Sequence, residues 1–416
     1  MQLLKTSKLP RFVTGITFCL CPLLQAGDYA PDLHTEHPVE DYSENPAFCD
    51  ALKGLGKIYK NSEHPFLQEL TVFGRFQYQR AWVNANDVNG NDFDEAHDEF
   101  RRARIGVKGK FLDYFDFKAN INLVSDDRPT GGDLDWGYQS FDEALIGFNV
   151  KKAFGLEQFD KLHASYGRHK FAISHEATTS SKEIITVERS GISNRVFGSE
   201  RPTGLKLKGA KGPWSGLLGV YSTEVEDEFI AGWDESVAYQ VDVGYQASDN
   251  LEFLASVVYN DGGVNSDTEA WDYKWATSLS AVYTSGRFGI AADLIYGDNG
   301  DINDGQNAAR EGDFWGVVIL PHYWLVKDRL QAVFRYQYQG SESEDGIRLS
   351  SRYLRRTNED INDGRGDSHH SYYLGLNYHI CGDNAKILAG IEYDDLDTPS
   401  GGVDGVTYQL AFRTFF

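Results

Sequence analysis

Between Arg101 and Lys110 the basic residues fall on alternate positions. Arg102, Arg104, Lys108 and Lys110 share one parity, and Ala103, Ile105 and Val107 share the other. Successive side chains of an extended chain point to opposite faces, so this segment carries a cationic stripe backed by an apolar one. The chemistry of such a stripe is the attraction and guidance of anions. Further cations on the polar faces of their own segments are Arg75, Lys118, Lys206, Lys208, Arg335 and Arg413, and carboxylates such as Asp116 and Asp242 share those faces. Two readings follow. The cations attract mobile anions, or they pair with the carboxylates beside them.

A second segment stands out because it does not alternate. Residues 170–198 contain Ser180, Ser181, Lys182 and Glu183 followed by Ile184 and Ile185. Ser180 and Glu183 have capping-box spacing, which predicts a short helix. The amides at its start would present a positive dipole end. Serine, histidine and aspartate are all present in the chain, yet no nucleophile elbow or triad-like cluster stands out, so no enzyme is expected. The acidic residues concentrate elsewhere: Asp92, Asp94, Glu95 and Asp98; Glu224, Glu226, Asp227 and Glu228; Asp298, Asp301 and Asp304; Glu359, Asp360 and Asp363. The string Asp-Ile-Asn-Asp-Gly occurs at 301–305 and again at 360–364. Its spacing misses the twelve-residue calcium loop. Solvated acidic loops are the expectation, with no metal and no cofactor.

The elements that must carry these residues are short and alternating. In Gly405–Phe416, Val406, Tyr408, Leu410, Phe412 and Phe416 share one face against Thr407, Gln409, Ala411 and Arg413. In 330–339 the apolar Leu330, Ala332, Phe334, Tyr336 and Tyr338 oppose Gln331, Arg335, Gln337 and Gln339, and 372–380 repeats the pattern. The segments approach the roughly 9–11 residues of a spanning strand, with aromatic residues near their ends. In lipid only a closed barrel satisfies every backbone group. Counting segments gives an antiparallel transmembrane β-barrel of about sixteen strands over 66–416. Short turns fall near 112–114, 211–213, 247–250, 286, 327–329 and 382–384. Long loops fall near 83–97, 125–140, 170–198, 223–235, 261–271, 297–311, 341–369 and 394–404.

Ahead of the barrel, residues 1–26 read as a signal peptide. Lys5, Lys8 and Arg11 precede an apolar run from Phe12 to Leu24, with cleavage after Ala26. Removing three cations takes the net charge from -22 to -25 (−22 − 3), which excludes a generally basic nucleic-acid surface. Residues 27–65 form a periplasmic segment in which 47–60 predicts a short helix. The C-terminal Phe416, preceded by alternate apolar residues, resembles the signal read by outer-membrane assembly machinery, so the expected location is the bacterial outer membrane. The outward loops would then meet lipid and lipopolysaccharide. Cys49 and Cys381 remain after cleavage, both on the periplasmic side, where disulfides persist. They are expected either as a bridge or as two free thiols.

The runs Arg101-Arg102-Ala103-Arg104-Ile105-Gly106-Val107-Lys108-Gly109, Thr179-Ser180-Ser181-Lys182 and Val187-Glu188-Arg189-Ser190 resemble the phosphate-selective porin O/P family. The resemblance implies a homotrimer of sixteen-stranded barrels, each with its third loop folded inside as a constriction. It assigns anion contacts to Ser180, Ser181 and Arg189, with Arg101 and Arg102 matching an arginine doublet. Lys182 and Arg104 stand within the same runs. The sequence departs from the family at Ala177, where a lysine is usual, and at Lys170-Phe171-Ala172-Ile173, where Lys-x-Pro-Phe is usual. The function expected is passive diffusion of small anions, inorganic or organic, phosphate among them. The rival is a non-conducting structural or adhesive barrel, which would need a plug beyond the third loop. No inserted segment large enough for one is visible in the sequence.

Overall fold

The computed structural model describes residues 46–124, 136–197, 201–224, 229–233, 236–262, 273–300 and 310–416. The signal peptide with its cleavage site after Ala26, and the first Asp-Ile-Asn-Asp-Gly string, lie outside the described residues. Sixteen strands make the barrel. The first four are β1 (Leu67–Asn86), β2 (Asp92–Phe111), β3 (Phe115–Asn122) and β4 (Ser140–Asn149). Next come β5 (Lys161–Arg168), β6 (Thr203–Lys211), β7 (Trp214–Ser222) and β8 (Val237–Ser248). They are followed by β9 (Leu251–Asn260), β10 (Trp275–Ser285), β11 (Phe288–Asp298) and β12 (Asp313–Val326). The last are β13 (Leu330–Ser341), β14 (Ser368–His379), β15 (Ala385–Thr398) and β16 (Gly401–Phe415).

Each strand pairs antiparallel with the next, and β16 pairs with β1 from Gly405↔Ala85 to Phe415↔Arg75, which closes the sheet. No edge is left for lipid to meet, the condition under which strands can cross a bilayer. The two faces follow the alternation read from the sequence. Leu374 is 62% exposed and Leu410 44% on the outside, whereas Gln409 (4%) and Arg335 (0%) point inward. Periplasmic connections are tight where the backbone turns left-handed, at Leu112 and Asp113, at Gly212, at Gly286, at Asp328 and at Gly382.

Two of the expected loops prove to be mostly strand. β1 and β2 run through 83–97 to a turn at 87–91, and β15 and β16 run through 394–404. Twenty residues of β1 extend roughly 66 Å at about 3.3 Å per residue, far more than the ~25 Å apolar band. These hairpins project beyond the membrane, and their Asp-rich composition reflects solvent contact rather than irregular backbone.

The 342–367 connection also differs from expectation, because it folds inward. Ile347, Leu349, Tyr353, Leu354 and Ile361 are buried in one apolar cluster with Ala81, Val83 and Ala85 of β1 and Val403 of β16. Arg352 makes a paired contact with Glu99 of β2 at 2.8 Å, and the Tyr353 hydroxyl donates to Gln79 at 2.7 Å. Its apolar residues are too scattered to announce an inserted segment.

Below the barrel, a helix (Pro46–Gly54) leads into a short strand (Lys57–Lys60) that pairs with the start of β1. Cys49 and Cys381 are disulfide-bonded with Cα atoms 5.3 Å apart, buried beside Leu52, Ile380 and Ala385. Mature protein alkylated without reduction should therefore show no labelled cysteine by mass spectrometry. Labelling of both would remove the bridge.

Candidate functional site

Residues 169–197, after β5, enter the barrel instead of capping it. Ser174 caps a one-turn helix, His175–Thr178, and Ser190 caps another, Gly191–Arg195. The first docks on the far wall, where Ser278 accepts from the Ser174 amide at 2.9 Å and Asp293 accepts from the amides of His175 and Glu176 at 2.9 and 3.0 Å. The Ser180–Glu183 stretch, read as a helix start, is a single hydrogen-bonded turn. Ser180 oxygen accepts from the amides of Glu183 and Ile184, both at 2.9 Å, and its hydroxyl accepts from the Lys182 amide at 3.3 Å. The sequence motif identified a capped turn, but wall side chains claim the carbonyls that follow and the helix does not propagate.

Those wall side chains are long and basic or amidic. Arg413 donates to the carbonyls of Ile184 (3.1 Å), Thr186 (3.2 Å) and Val187, and Lys386 to Ile184 (3.4 Å). Gln77 donates to the Ser181 carbonyl at 2.9 Å and Asn377 to that of Ile185 at 2.8 Å. Arg335, 0% exposed, bridges the loop to the wall: it reaches Glu176 at 3.0 Å, the Glu188 carbonyl at 2.7 Å and Glu392 at 2.6 Å. Burial opposes the charge on Glu176, but Arg335 and the Ser190 hydroxyl outweigh it and hold the carboxyl below its ordinary value.

A β-bulge brings both arginines of the doublet to the inside. Gln77 faces Arg102 and the next pair is Tyr78↔Phe100, so Arg101 is the extra residue on β2. Arg101 then reaches Glu188 of the loop at 2.8 Å, while Arg102 donates to Gln77 at 2.9 Å. Arg104 is committed to Asp142 (2.7 Å) and Asn122 (2.6 Å), and Lys118 is paired with Glu143. Arg75 donates to the Ser181 hydroxyl. Lys182 lies over the Phe415 ring at 4.3 Å. Burial and the nearby charges of Arg75, Lys118 and Lys108 pull its ammonium down to about 8.

The residues singled out in the sequence thus divide into three groups. Arg189 is 3% exposed and stitches the loop to itself, donating to the Glu176 carbonyl at 3.0 Å and to that of Thr179. Arg335 likewise is covered by the loop rather than open to the channel. Arg101, Arg104 and Lys118 hold carboxylates. Arg75, Arg102, Lys108, Lys182, Lys206 and Lys208 make no ion pair among the described residues, and Lys206 donates to the Lys170 carbonyl at 3.1 Å. Ala177 is fully buried. A cation nevertheless stands close by, for the Lys170 ammonium donates to the carbonyls of Thr178 (3.1 Å) and Thr179 (3.4 Å). Glu176, Glu188, Asp142 and Glu143 escaped the sequence reading. Glu188 lies inside a run that was singled out, so its partnership with Arg101 had at least a local signal.

The model of phosphate-selective porin O and P matches residues 71–292. No curated protein sequence matches the chain. Among solved structures, the outer-membrane channel DcaP of Acinetobacter baumannii is similar at 14% identity and a TM-score of 0.52, covering 84% of this chain and 97% of that one. An anion-selective porin from Comamonas acidovorans is similar at 11% identity and a TM-score of 0.51, covering 84% and 99%. OmpT of Vibrio cholerae in a trimer form is similar at 12% identity and 0.51, covering 83% and 99%. These likenesses concern the barrel. Closed sheet, inserted third loop and a family match over more than half the chain lead to one assignment: the chain belongs to the phosphate-selective porin O and P family, channel-forming barrels of the outer membrane.

Proposed function

We propose that the protein is a passive-diffusion channel selective for small anions, with the third loop as its constriction and a homotrimer as its working form. The observation that carries this reading is the set of lumen cations with no ion pair among the described residues: Arg75, Arg102, Lys108 and Lys182. Basic side chains lining a pore favour anions over cations. The carboxylates of the same region are largely neutralised by Arg101, Arg104 and Arg335, so the unpaired cations set the local sign. The anion contacts proposed are Arg75, Arg102, Lys182 and the hydroxyls of Ser180 and Ser181. Phosphate and small organic anions both fit this chemistry. The trimer rests on family membership and on the trimer form solved for one structural neighbour. The inward 342–367 connection packs against β1, β2 and β16 and against the third loop, whose Gly191 amide donates to the Ser350 hydroxyl at 2.9 Å, and in this reading it narrows the mouth together with that loop.

Three measurements test the reading. In planar bilayers under a KCl gradient, wild-type protein should give a reversal potential of chloride preference. Arg75→Gln with Arg102→Gln should move it toward potassium, and potassium preference in the wild type would sink the anion reading.

The loop anchor is open to the same assay. Arg335→Met leaves Glu176 buried without its partner, a loss of about 3–5 kcal/mol for an ion pair of this kind. Freed from its anchor, the loop should leave a channel of higher and noisier conductance. An unchanged conductance in folded barrels would place the loop outside the permeation path.

The third concerns pH. With the Lys182 ammonium held near 8, it is charged at pH 7 and largely neutral at pH 9. Chloride preference should therefore fall as pH rises across that window, and Lys182→Arg should flatten the dependence. A flat wild-type profile would rule out a role for Lys182.

A further inference from the structure

A second β-bulge lies on the same wall as the arginine doublet, two strands along. Asn120 of β3 faces Glu143 and the next pair is Ile121↔Phe141, so Asp142 is the extra residue on β4. As at Arg101, the bulge turns two consecutive charged residues to the same side. Their environments differ. Asp142 is 6% exposed and fully engaged, accepting from Asn120 at 3.0 Å, Arg104 at 2.7 Å and Arg201 at 2.9 Å. Among the described residues Glu143 has a single partner, Lys118, and both side chains remain partly accessible, at 19% and 35%.

The surroundings of Glu143 are strongly positive. Its charge acts on Arg75, Lys170, Lys206 and Lys208 as well as on Lys118. Arg75, Lys170 and Lys206 spend their hydrogen bonds on neutral oxygens. Asp142 and Asp242 share this neighbourhood, but Asp142 is committed to two arginines and Asp242 to Gln240, so Glu143 is the carboxylate held among these cations by one open lysine, where a permeating anion would also be drawn.

We propose that Glu143 is a built-in competitor for the permeant anion: it occupies the cationic centre at rest and yields Lys118 to an anion in transit. The inference rests on the anion-channel reading. An open ion pair of this kind is worth only about 0–1 kcal/mol, so a mobile anion can displace it. The returning carboxylate then helps expel the anion. Conduction needs a site that binds well enough to admit an ion and weakly enough to release it, and a tethered competitor supplies the second half.

The test uses full-length channels in planar bilayers, with chloride current titrated by inorganic phosphate. Glu143→Gln removes the competitor and keeps the side chain's size. Asp116→Asn, which removes a lumen carboxylate paired with His163 at 2.6 Å, is the control for a general change of lumen charge. Losing the competitor should lower the half-blocking phosphate concentration by up to about fivefold, with longer blocked intervals, while the control stays near wild type. Equal shifts in the two variants, or none in Glu143→Gln, would overturn the proposal. Should Glu143→Gln fail to give folded barrels, Glu143→Ser carries the same comparison. A wild-type channel preferring potassium overturns the underlying reading instead, so the two failures are told apart.

Discussion

A loop that enters a barrel carries its backbone polar groups out of bulk water, and every one of them needs a partner. That demand organises the lumen. Arg413, Lys386, Arg335, Gln77 and Asn377 extend from five different strands to take up the carbonyls of residues 181–188. Side chains with this reach and this many donors are arginine, lysine and the amides, and three of the five used here are basic whatever the channel carries. Much of the inward positive charge is thus a requirement of folding. The residue of charge left after this demand is met, on Arg75, Arg102, Lys108 and Lys182, is what remains available to a solute.

The second organising device is the bulge. A regular strand offers the lumen every other residue, and two adjacent charges can share a face only where the register slips. It slips at Arg101 and at Asp142. At each place one member of the pair is consumed by structure: Arg101 pins Glu188 of the loop, and Asp142 gathers Arg104 and Arg201. The other member, Arg102 or Glu143, stays partly accessible, on Gln77 or on Lys118. Strength and function are separated by one residue of sequence.

The barrel was legible because its cause is periodic. Alternation in 330–339, 372–380 and 405–416 maps directly onto lipid and lumen faces, and tight turns such as 112–114 and 382–384 end the strands where expected. What was not legible depends on contacts between distant segments. Parity alone assigned Arg102 and Arg104 to the lumen but would have turned Arg101 outward, because a bulge leaves no mark in the pattern. Arg335 and Arg189 read as channel cations, yet the loop lies over one and contains the other. The inward fold of 342–367 rests on five scattered apolar residues that find their partners on β1 and β16. The polar 83–97 and 394–404 stretches looked like loops because water was taken to mean irregular structure, whereas a long hairpin can be wet and still be paired.

The bridge between Cys49 and Cys381 joins residues 332 apart in sequence and encloses fourteen of the sixteen strands in one covalent ring. Mechanically, this fixes how the molecule can be dismantled. Tension on the C terminus can unzip β16 and then β15, but at Cys381 the pull passes through sulfur to the helix under the barrel and not on to β14. Tension on the N terminus is diverted at Cys49 in the same way. Only the last hairpin and the residues ahead of Cys49 lie outside the ring, so the barrel can fray at its seam without running undone.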